Sequence, residues 1–445
     1  MAPFIESGNK PASSSVITHS QSRIEVPYIK VTIGDFTFGV FQKSSVLKTE
    51  AGFYRDVGVT YPNFIQSLSI TKINGQVNKY SLNILYPIRP GDDPNFFEKV
   101  FASVTKTRSI VFSYGDMNNP GYIYDNEEAL IVDINPSFNT KSSTISYQVS
   151  AVSKAALGLS GSYNFTERFE KPSKIITDEL LYSPEFNLTS LFPGMANEQI
   201  VEAKGLIAHS DAAVAIEAKN NITILDYIKY LVSLMHDAGE AYGKDDTYNS
   251  YYQLTIHDNI NSDPDEEIPG PYFKISQVSK NKEMPDAYEI NIGWPDNTMV
   301  MDFNLHTNQS YGIFYDWQGD LTANDYVKRL DTNGDWIDVY CPSVSSKNSG
   351  FETRPEDQVW WSKVTKFPIS GSITIRGLLR PAKLMSYIRL NVIYYGWKHI
   401  SSGLYIITGQ QDQIDSNGYR STLTLLKVGG DDSDDAYMIN TNKIK

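Results

Sequence analysis

The segment of the sequence closest to a metal-binding motif is Asp331–Asp338. Its first, third and fifth residues are Asp, Asn and Asp, the spacing of oxygen ligands in a calcium-binding loop. Trp336 stands at the sixth position, where such loops need glycine, and Pro342 stands at the twelfth, where they need a bidentate glutamate. We therefore expect a solvated Asp/Asn turn here and predict no metal site.

Other arrangements that carry chemistry are missing from the sequence. The six histidines lack the spacing of a zinc site, and no nucleophile elbow, phosphate loop or dinucleotide fingerprint occurs. We predict no catalytic residue, no metal and no cofactor, so the chain is not expected to be an enzyme. Carboxylate pairs for glycan cleavage come from distant segments, and the doublets Trp360-Trp361 and Tyr394-Tyr395 could stack on sugars. A carbohydrate-binding or glycan-cleaving protein therefore stays open as an alternative.

Charge and cysteine usage narrow the class further. The 445 residues carry a formal net charge of −13 and contain no dense Lys/Arg run, so specific binding of nucleic acid is not expected. An acidic chain does suit a wall past which DNA slides without sticking. Cys341 is the single cysteine, no apolar run reaches the ~18 residues of a membrane span, and residues 1–22 lack the apolar core of a signal peptide. We expect synthesis in a reducing cytoplasm.

The sequence predicts that most of its secondary structure, and so most positions for functional side chains, lies in β-strands. The strongest local signal is a hairpin around Asn74-Gly75, a pair that tolerates the positive φ angles of a type I′ turn. Apolar residues alternate with polar ones on both sides of it: Phe64, Leu68 and Ile70 before the turn, and Tyr80, Leu82, Ile84 and Tyr86 after it. A helix with Phe96, Phe97, Val100, Phe101 and Val104 on one face follows.

The middle of the chain is mixed, and the C-terminal part is again rich in strands. Residues 172–182 predict a short helix, and residues 222–239 predict a longer one with a Thr223/Asp226 capping box and a Gly239 C-cap. Four strand-like runs separated by turn residues fill 366–430, the spacing of a small barrel or sandwich.

These patterns predict an α+β, mainly β fold, in which two small barrel-like β domains flank a mixed α/β middle region. The predicted divisions are a flexible leader (1–25), a first tube-forming β domain (26–160), a mixed α+β domain (161–365), a second tube-forming β domain (366–430) and an acidic tail (431–445).

Residues 401–428 resemble the closing hairpin of baseplate hub proteins of contractile phage tails, which are related to the hub part of type VI secretion spike proteins. Those hairpins have an S-G-x-Y strand start, an I-D-x-x-G-[FY] turn and a T-x-L-x-L strand. The matching residues are Ser402, Gly403, Tyr405, Ile407, Ile414, Asp415, Gly418, Tyr419, Thr422, Leu423 and Leu425. The segment 376–381 departs from the compact link of many hubs.

The resemblance implies a homotrimeric structural adaptor. Two β domains in each of three chains would form a ring of six similar units between a sixfold tail tube and a threefold central spike, around part of the DNA-ejection channel. Its implied partners are the spike, tail tube, baseplate wedge and tape measure proteins, and its place is the tail baseplate of a virion, assembled in the host cytoplasm. A hexameric distal-tail or tube-initiator protein is the other alternative.

The C-terminal hairpin is the predicted oligomer interface. Between Tyr419 and Val428, one face of the strand carries leucines, and the other face carries two threonines followed by Leu426 and Val428. Because both faces keep apolar character, we expect the second face to meet a neighbouring chain or a covering loop. The predicted interface residues are Tyr405, Ile407, Leu423, Leu425 and Leu426.

Overall fold

The protein is described from a computed structural model, which covers residues 27–40, 64–103, 108–116, 124–211, 213–235, 250–258, 268, 271–279, 288–292, 300–307, 326–330, 336–340, 369–376, 384–394, 397–399 and 401–429. Strands dominate these residues, and most of them join one large, almost entirely antiparallel sheet. The predicted mainly β class is therefore confirmed.

The first region is a curled sheet with one helix against it. Its strands are β1 (Pro27–Ile33), β2 (Phe36–Val40), β3 (Ile65–Ile73), β4 (Lys79–Pro87), β5 (Ser109–Asp116), β6 (Tyr124–Asn139) and β7 (Thr144–Ser153), and its helix is α1 (Phe96–Ser103). The pairing order of these strands is β3-β4-β7-β6-β5-β1-β2. Phe38 on β2 reaches Phe64, which directly precedes β3, with 6.3 Å between ring centroids. The two ends of this sheet thus approach each other across an aromatic core.

The predicted hairpin is formed by β3 and β4, whose apolar alternation places one face of each strand in the core. The predicted type I′ turn is wrong. Gly75 has a φ of +69°, but Asn74 has no positive φ, and the amide of Gln76 donates to the carbonyl of Ile73. A positive φ only at the second central residue defines a type II turn, for which glycine is required at that position.

The middle region has its own core, built from short elements between Ala155 and Ile275. Its strands are β8 (Ser162–Phe165), β9 (Arg168–Glu170), β10 (Val214–Ile216), β11 (Lys219–Thr223), β12 (Ser250–His257) and β13 (Tyr272–Ser279). Its helices are α2 (Ala156–Leu159), α3 (Pro172–Lys174), a π-helical segment (Ile175–Leu181), α4 (Leu188–Leu191), a 3-10 turn (Pro193–Met195), α5 (Glu198–Ala203) and α6 (Ile224–Leu234). Thr223 caps α6 as predicted, since its Oγ1 accepts from the Asp226 amide at 3.1 Å, and the same hydroxyl donates to Asp226 Oδ2 at 2.8 Å.

Most strands of the C-terminal region extend the same large sheet, and two of them, 326–330 and 336–340, form a separate two-stranded sheet. Its strands are β14 (Tyr288–Ile292), β15 (Val300–Thr307), β16 (Tyr326–Leu330), β17 (Trp336–Tyr340), β18 (Ile369–Arg376), β19 (Tyr387–Tyr394), β20 (Trp397–Lys398), β21 (Gly403–Asp415) and β22 (Gly418–Gly429). The order β15-β18-β22-β21 continues into β3, while β19 pairs with β21, β20 and, in parallel, β14. Strand β21 is thus shared, because Gln411 pairs with Thr422 on β22 and with Thr71 on β3. The predicted domain boundaries stay predictions.

Several sequence predictions lie outside the described residues. These are the leader, the acidic tail, the Gly239 cap, Val104, Trp360-Trp361, Tyr395 and the ligand positions 331–335 of the segment Asp331–Asp338. Among the described residues, no helix combines the length and apolar character needed to cross a membrane.

Candidate functional site

A band of uncharged polar side chains crosses the outward face of the large sheet. In register from β18 to β7, this neutral strip consists of Thr374, Thr422, Gln411, Thr71, Gln413, Ser69, Ser81 and Ser150. Its position follows from strand alternation, because the neighbours of these residues along each strand, such as Leu68, Ile70 and Leu423, are completely buried on the other face. The strip joins the two β regions, since Gln411 and Gln413 on β21 lie opposite Thr71 and Ser69 on β3.

Charged side chains border the neutral strip and also enter it on β4, where the exposed Lys79 lies opposite Thr71. Arg420 lies opposite Gln413, but its guanidinium is paired with Asp415 at 2.8 Å. Asp133 lies opposite Ser150 at the β6 end. A surface made mainly of hydroxyl and amide groups hydrogen-bonds water and, with Lys79 as an isolated cation beside it, offers a phosphate backbone little charge to bind.

The same outward face is covered where β22 continues beyond the strip. Val428 is buried and Leu426 is partly buried against Val278 of β13, together with Leu404 and Ile406. The covering element is therefore a strand of the chain's own middle region. This contact explains the apolar character that the second face of β22 shows in the sequence.

Beneath the strip, the interior of the sheet holds an ion pair between Lys72 of β3 and Glu127 of β6. The Lys72 ammonium also lies over the ring of Tyr124, 4.2 Å from its centroid. Glu127 is completely buried, and the hydroxyls of Tyr80 and Tyr114 lie 3.0 and 3.3 Å from its Oε2. These donors compensate the desolvation of a charged group in the core.

Asp258, which follows β12, brings the middle region into this interior. Ser153 Oγ donates to Asp258 Oδ1 at 2.6 Å, and Asn78 Nδ2 donates to Oδ2 at 2.6 Å. The hydroxyl of Tyr80 lies 3.1 Å from the same Oδ2. We call this cluster the buried junction, and its members are Lys72, Asn78, Tyr80, Glu127, Ser153 and Asp258.

The turn between β3 and β4 adds hydrogen bonds between uncharged groups to the contact between the sheet and the middle region. The amide of Gly75 donates to the carbonyl of Leu254 on β12 at 2.7 Å. Asn74 Nδ2 donates to Gln253 Oε1 at 3.3 Å. The middle region is thus held on the sheet by hydrogen bonds, by the buried junction and by the apolar patch around Val278.

A second buried carboxylate, Asp412, belongs to the sheet alone. It lies on β21, where Ser421 Oγ donates to its Oδ1 at 2.5 Å and Gln410 Nε2 donates to its Oδ2 at 2.6 Å. Burial raises the pKa of Asp412 to about 6 and that of Asp258 to about 6. Burial, followed by the nearby Glu127 carboxylate, raises the pKa of Tyr80 well above its usual value.

The predicted interface residues lie in two different environments. Tyr405, Ile407, Leu423 and Leu425 are completely buried in the chain's own C-terminal core. In the single chain these four side chains leave no surface for a neighbour, whereas Leu426 keeps part of its surface in the patch under Val278. The assignment of the hairpin to an oligomer interface stays a prediction.

The buried junction was not predicted from the sequence. A signal for part of it exists, since Lys72 continues the inward series of Leu68 and Ile70 on β3, and Glu127 precedes Ala129 in the inward series of β6. A charged residue at an inward strand position needs a buried partner. Among the residues that the structure describes, no cluster of His, Cys, Asp or Glu side chains could hold a metal ion.

No family model and no curated protein matches the sequence. Solved structures with a similar fold include a 43 kDa tail protein of prophage MuSo2 from Shewanella oneidensis, with 12% identity, a TM-score of 0.44 and coverage of 92% of this chain and 99% of that chain. A tail protein from Neisseria meningitidis MC58 has 10% identity, a TM-score of 0.43 and coverage of 90% and 96%.

A third similar structure is the E. coli c3393 protein, a component of the type VI secretion system that is itself described as similar to the T4 tail proteins gp27 and gp5. It has 10% identity, a TM-score of 0.39 and coverage of 81% of this chain and 73% of that chain.

Proposed function

We propose that the chain is a structural baseplate hub of a phage tail or a related contractile injection machine. In this role it is a homotrimeric adaptor that joins a sixfold tail tube to a threefold spike and surrounds part of the DNA-ejection channel. It contacts baseplate wedge and tape measure proteins, performs no turnover, and resides in the tail baseplate of a virion after assembly in the host cytoplasm.

The observation that carries this proposal is the neutral strip. It passes through strands of both β regions, with the exposed Lys79 beside Thr71 as a cation on the same face. Three chains, each with two β regions, could therefore line one axis with six such sets of strands. The strip exposes hydroxyl and amide groups where a DNA-binding surface would need Lys and Arg. The resemblance of residues 401–428 to the hub hairpin points to the same role.

The oligomeric state is the first test. Light scattering of the purified chain should give the mass of a trimer, or, if the trimer forms only with a candidate spike protein, the mass of three chains plus that spike. A hexamer would instead support a distal-tail or tube-initiator protein. A monomer at every concentration and with every partner would refute the hub.

Whether the neutral strip faces the trimer axis can be tested by introducing lysines on it, because their charges would then come together around the axis. In the trimer, Thr71→Lys together with Gln411→Lys would place six ammonium groups around one axis. We expect this variant to retain duplex DNA with a steep salt dependence, and the wild type, with Lys79 as an isolated cation on this face, to bind DNA far more weakly. Leu157→Lys together with Phe169→Lys, at exposed positions of the middle region, is the matched control with the same added charge.

The control should bind DNA much more weakly, because its added charges do not converge. Equal binding by the two lysine variants would show that the strip does not face the axis. If the strip does face the axis, single-particle electron microscopy of the wild-type oligomer should place strands β3 and β21 next to the threefold axis.

The absence of turnover needs its own assay. We expect no release of soluble fragments from peptidoglycan by the purified trimer. Hydrolysis that disappears after substitution of one carboxylate pair would show that the chain is an enzyme.

A further inference from the structure

The Tyr80 hydroxyl lies between two carboxyl groups but has only one proton. Its oxygen is 3.0 Å from Glu127 Oε2 and 3.1 Å from Asp258 Oδ2. If both carboxyl groups were ionised, Tyr80 could donate to one of them, and the other contact would join two oxygens without a proton between them. Both contacts become hydrogen bonds when one carboxyl group is protonated and donates to the Tyr80 oxygen.

The surrounding groups decide which carboxyl group holds this proton. Glu127 is paired with the Lys72 ammonium, which favours its ionised form. Asp258 accepts only from the neutral groups of Ser153 and Asn78. The titratable groups that face Asp258 and Glu127 from the surrounding elements are Lys72 on β3, Tyr80 on β4, Tyr114 on β5 and Tyr124 on β6. Asp412 on β21 interacts with Lys72 and Tyr114 and not directly with Asp258. Lys72 is the single cation among the members of the buried junction, and it forms its ion pair with Glu127 and not with Asp258.

We propose that Asp258 binds a proton when the middle region docks on the sheet, so that this docking is proton-linked and tightens in mild acid. The Asp258 proton is donated to the Tyr80 oxygen, and the Tyr80 proton is donated to Glu127 Oε2. Water supplies the proton on docking and takes it back when the junction opens, and no other bond changes.

The direction of the pH dependence follows from the pKa of Asp258, which burial raises from 3.8 to about 6. A group with a raised pKa in the docked state favours docking fully below the lower value, and this contribution is lost as the pH rises through the higher value. Between about pH 5 and about pH 7, the docking equilibrium constant should fall by about tenfold. Above about pH 7 the effect should level off.

Hydrogen exchange followed by mass spectrometry tests this proposal on the full chain. After correction for the intrinsic pH dependence of exchange, the protection of residues 74–78 and 252–258 should fall about tenfold over that range. Segments of β1 and β18, which contribute no group to the junction, provide the internal reference. Equal pH slopes in the junction and in the reference segments would overturn the proposal.

Two substitutions assign the effect to Asp258. Asp258→Asn removes the titrating group at nearly constant size. In this variant the protection of the junction segments should depend on pH no more steeply than that of the reference segments. Asp412→Asn is the matched control, because Asp412 has the same raised pKa but lies within the sheet, and this variant should keep the slope of the wild type. A wild-type slope in Asp258→Asn would contradict the proposal.

Tyr80→Phe provides a test that does not depend on Asp258→Asn folding well. It removes the acceptor of the Asp258 proton, so the midpoint of the pH dependence should move to lower pH. A purely structural role of Tyr80 would lower protection at every pH and leave the midpoint unchanged. An unchanged midpoint would overturn the proton chain.

Discussion

The outward face of β22 is open along one half and covered along the other. Thr422 and Thr424 belong to the open half, where the surface is polar and uncharged. Leu426 and Val428 belong to the covered half, where Val278 of the middle region packs on them. Strand alternation alone predicts the same exposure for all four positions. Their different exposure shows that a segment distant in sequence determines which part of a sheet face is accessible to solvent.

The largest expected effect lies on the inward face of β22, which has no open half. Leu425 is completely buried in the C-terminal core. Leu425→Ala should lower the free energy of unfolding by about 2–5 kcal/mol, because it removes buried methyl groups and leaves a cavity. Urea unfolding followed by circular dichroism measures this. A loss below about 1 kcal/mol would show that this side of the strand is not core.

A charged side chain should lower the free energy of unfolding in the covered half of the face and leave it nearly unchanged in the open half. Leu426→Asp would bring a carboxylate into the patch under Val278 and should cost about 1–3 kcal/mol. Thr424→Asp places the same charge on the same face, two residues earlier, and should stay within about 0.5 kcal/mol of the wild type. Equal losses in urea unfolding would remove the distinction between the two halves.

The hairpin turn fixes which residues of β22 face outward, and Gly418 is its constrained position. Gly418 has a φ of +107°, and a Cβ there would meet no atom within 4 Å. Gly418→Ala should therefore destabilise by about 1–2 kcal/mol through backbone strain alone. Gly418→Asn should cost less, because Asn tolerates positive φ better than Ala does. An Ala variant as stable as the wild type in thermal unfolding would show that the turn relaxes.

The smallest effect is expected in the centre of the neutral strip. Gln411 is exposed and lies between Thr422 and Thr71. Gln411→Ala should change the free energy of unfolding by less than about 0.5 kcal/mol. A loss above about 1 kcal/mol in urea unfolding would mean that the strip contributes to folding and is not simply a surface.

The inward alternation of the strands could be predicted because burial repeats every two residues. The series Tyr80, Leu82 and Ile84 in β4 is fully in the core, and the N-cap bond between Thr223 and the Asp226 amide marks the start of α6. Such signals are local, so a single sequence contains them.

The attachment of the middle region could not be predicted in the same way. Asp258 follows β12 in an acidic stretch that carries no periodic signal, and its partners Asn78 and Ser153 are 180 and 105 residues away. The cover that Val278 provides for Val428 is equally distant in sequence. The turn type was missed because the pair Asn74-Gly75 fits both type I′ and type II, and contacts with β12 help to set the conformation there.

The pairing of β21 with β3 has a consequence for biosynthesis. Gly409 pairs with Ile73, and Ile414 pairs with Leu68, so a strand near the end of the chain completes a sheet that begins near its start. On the ribosome, β3 and β4 emerge long before β21, and during that interval the edge of β3 lacks its final neighbour. Pairing across such a long sequence separation is slow, so the nascent chain must keep that edge from pairing with other chains until the C-terminal hairpin is released.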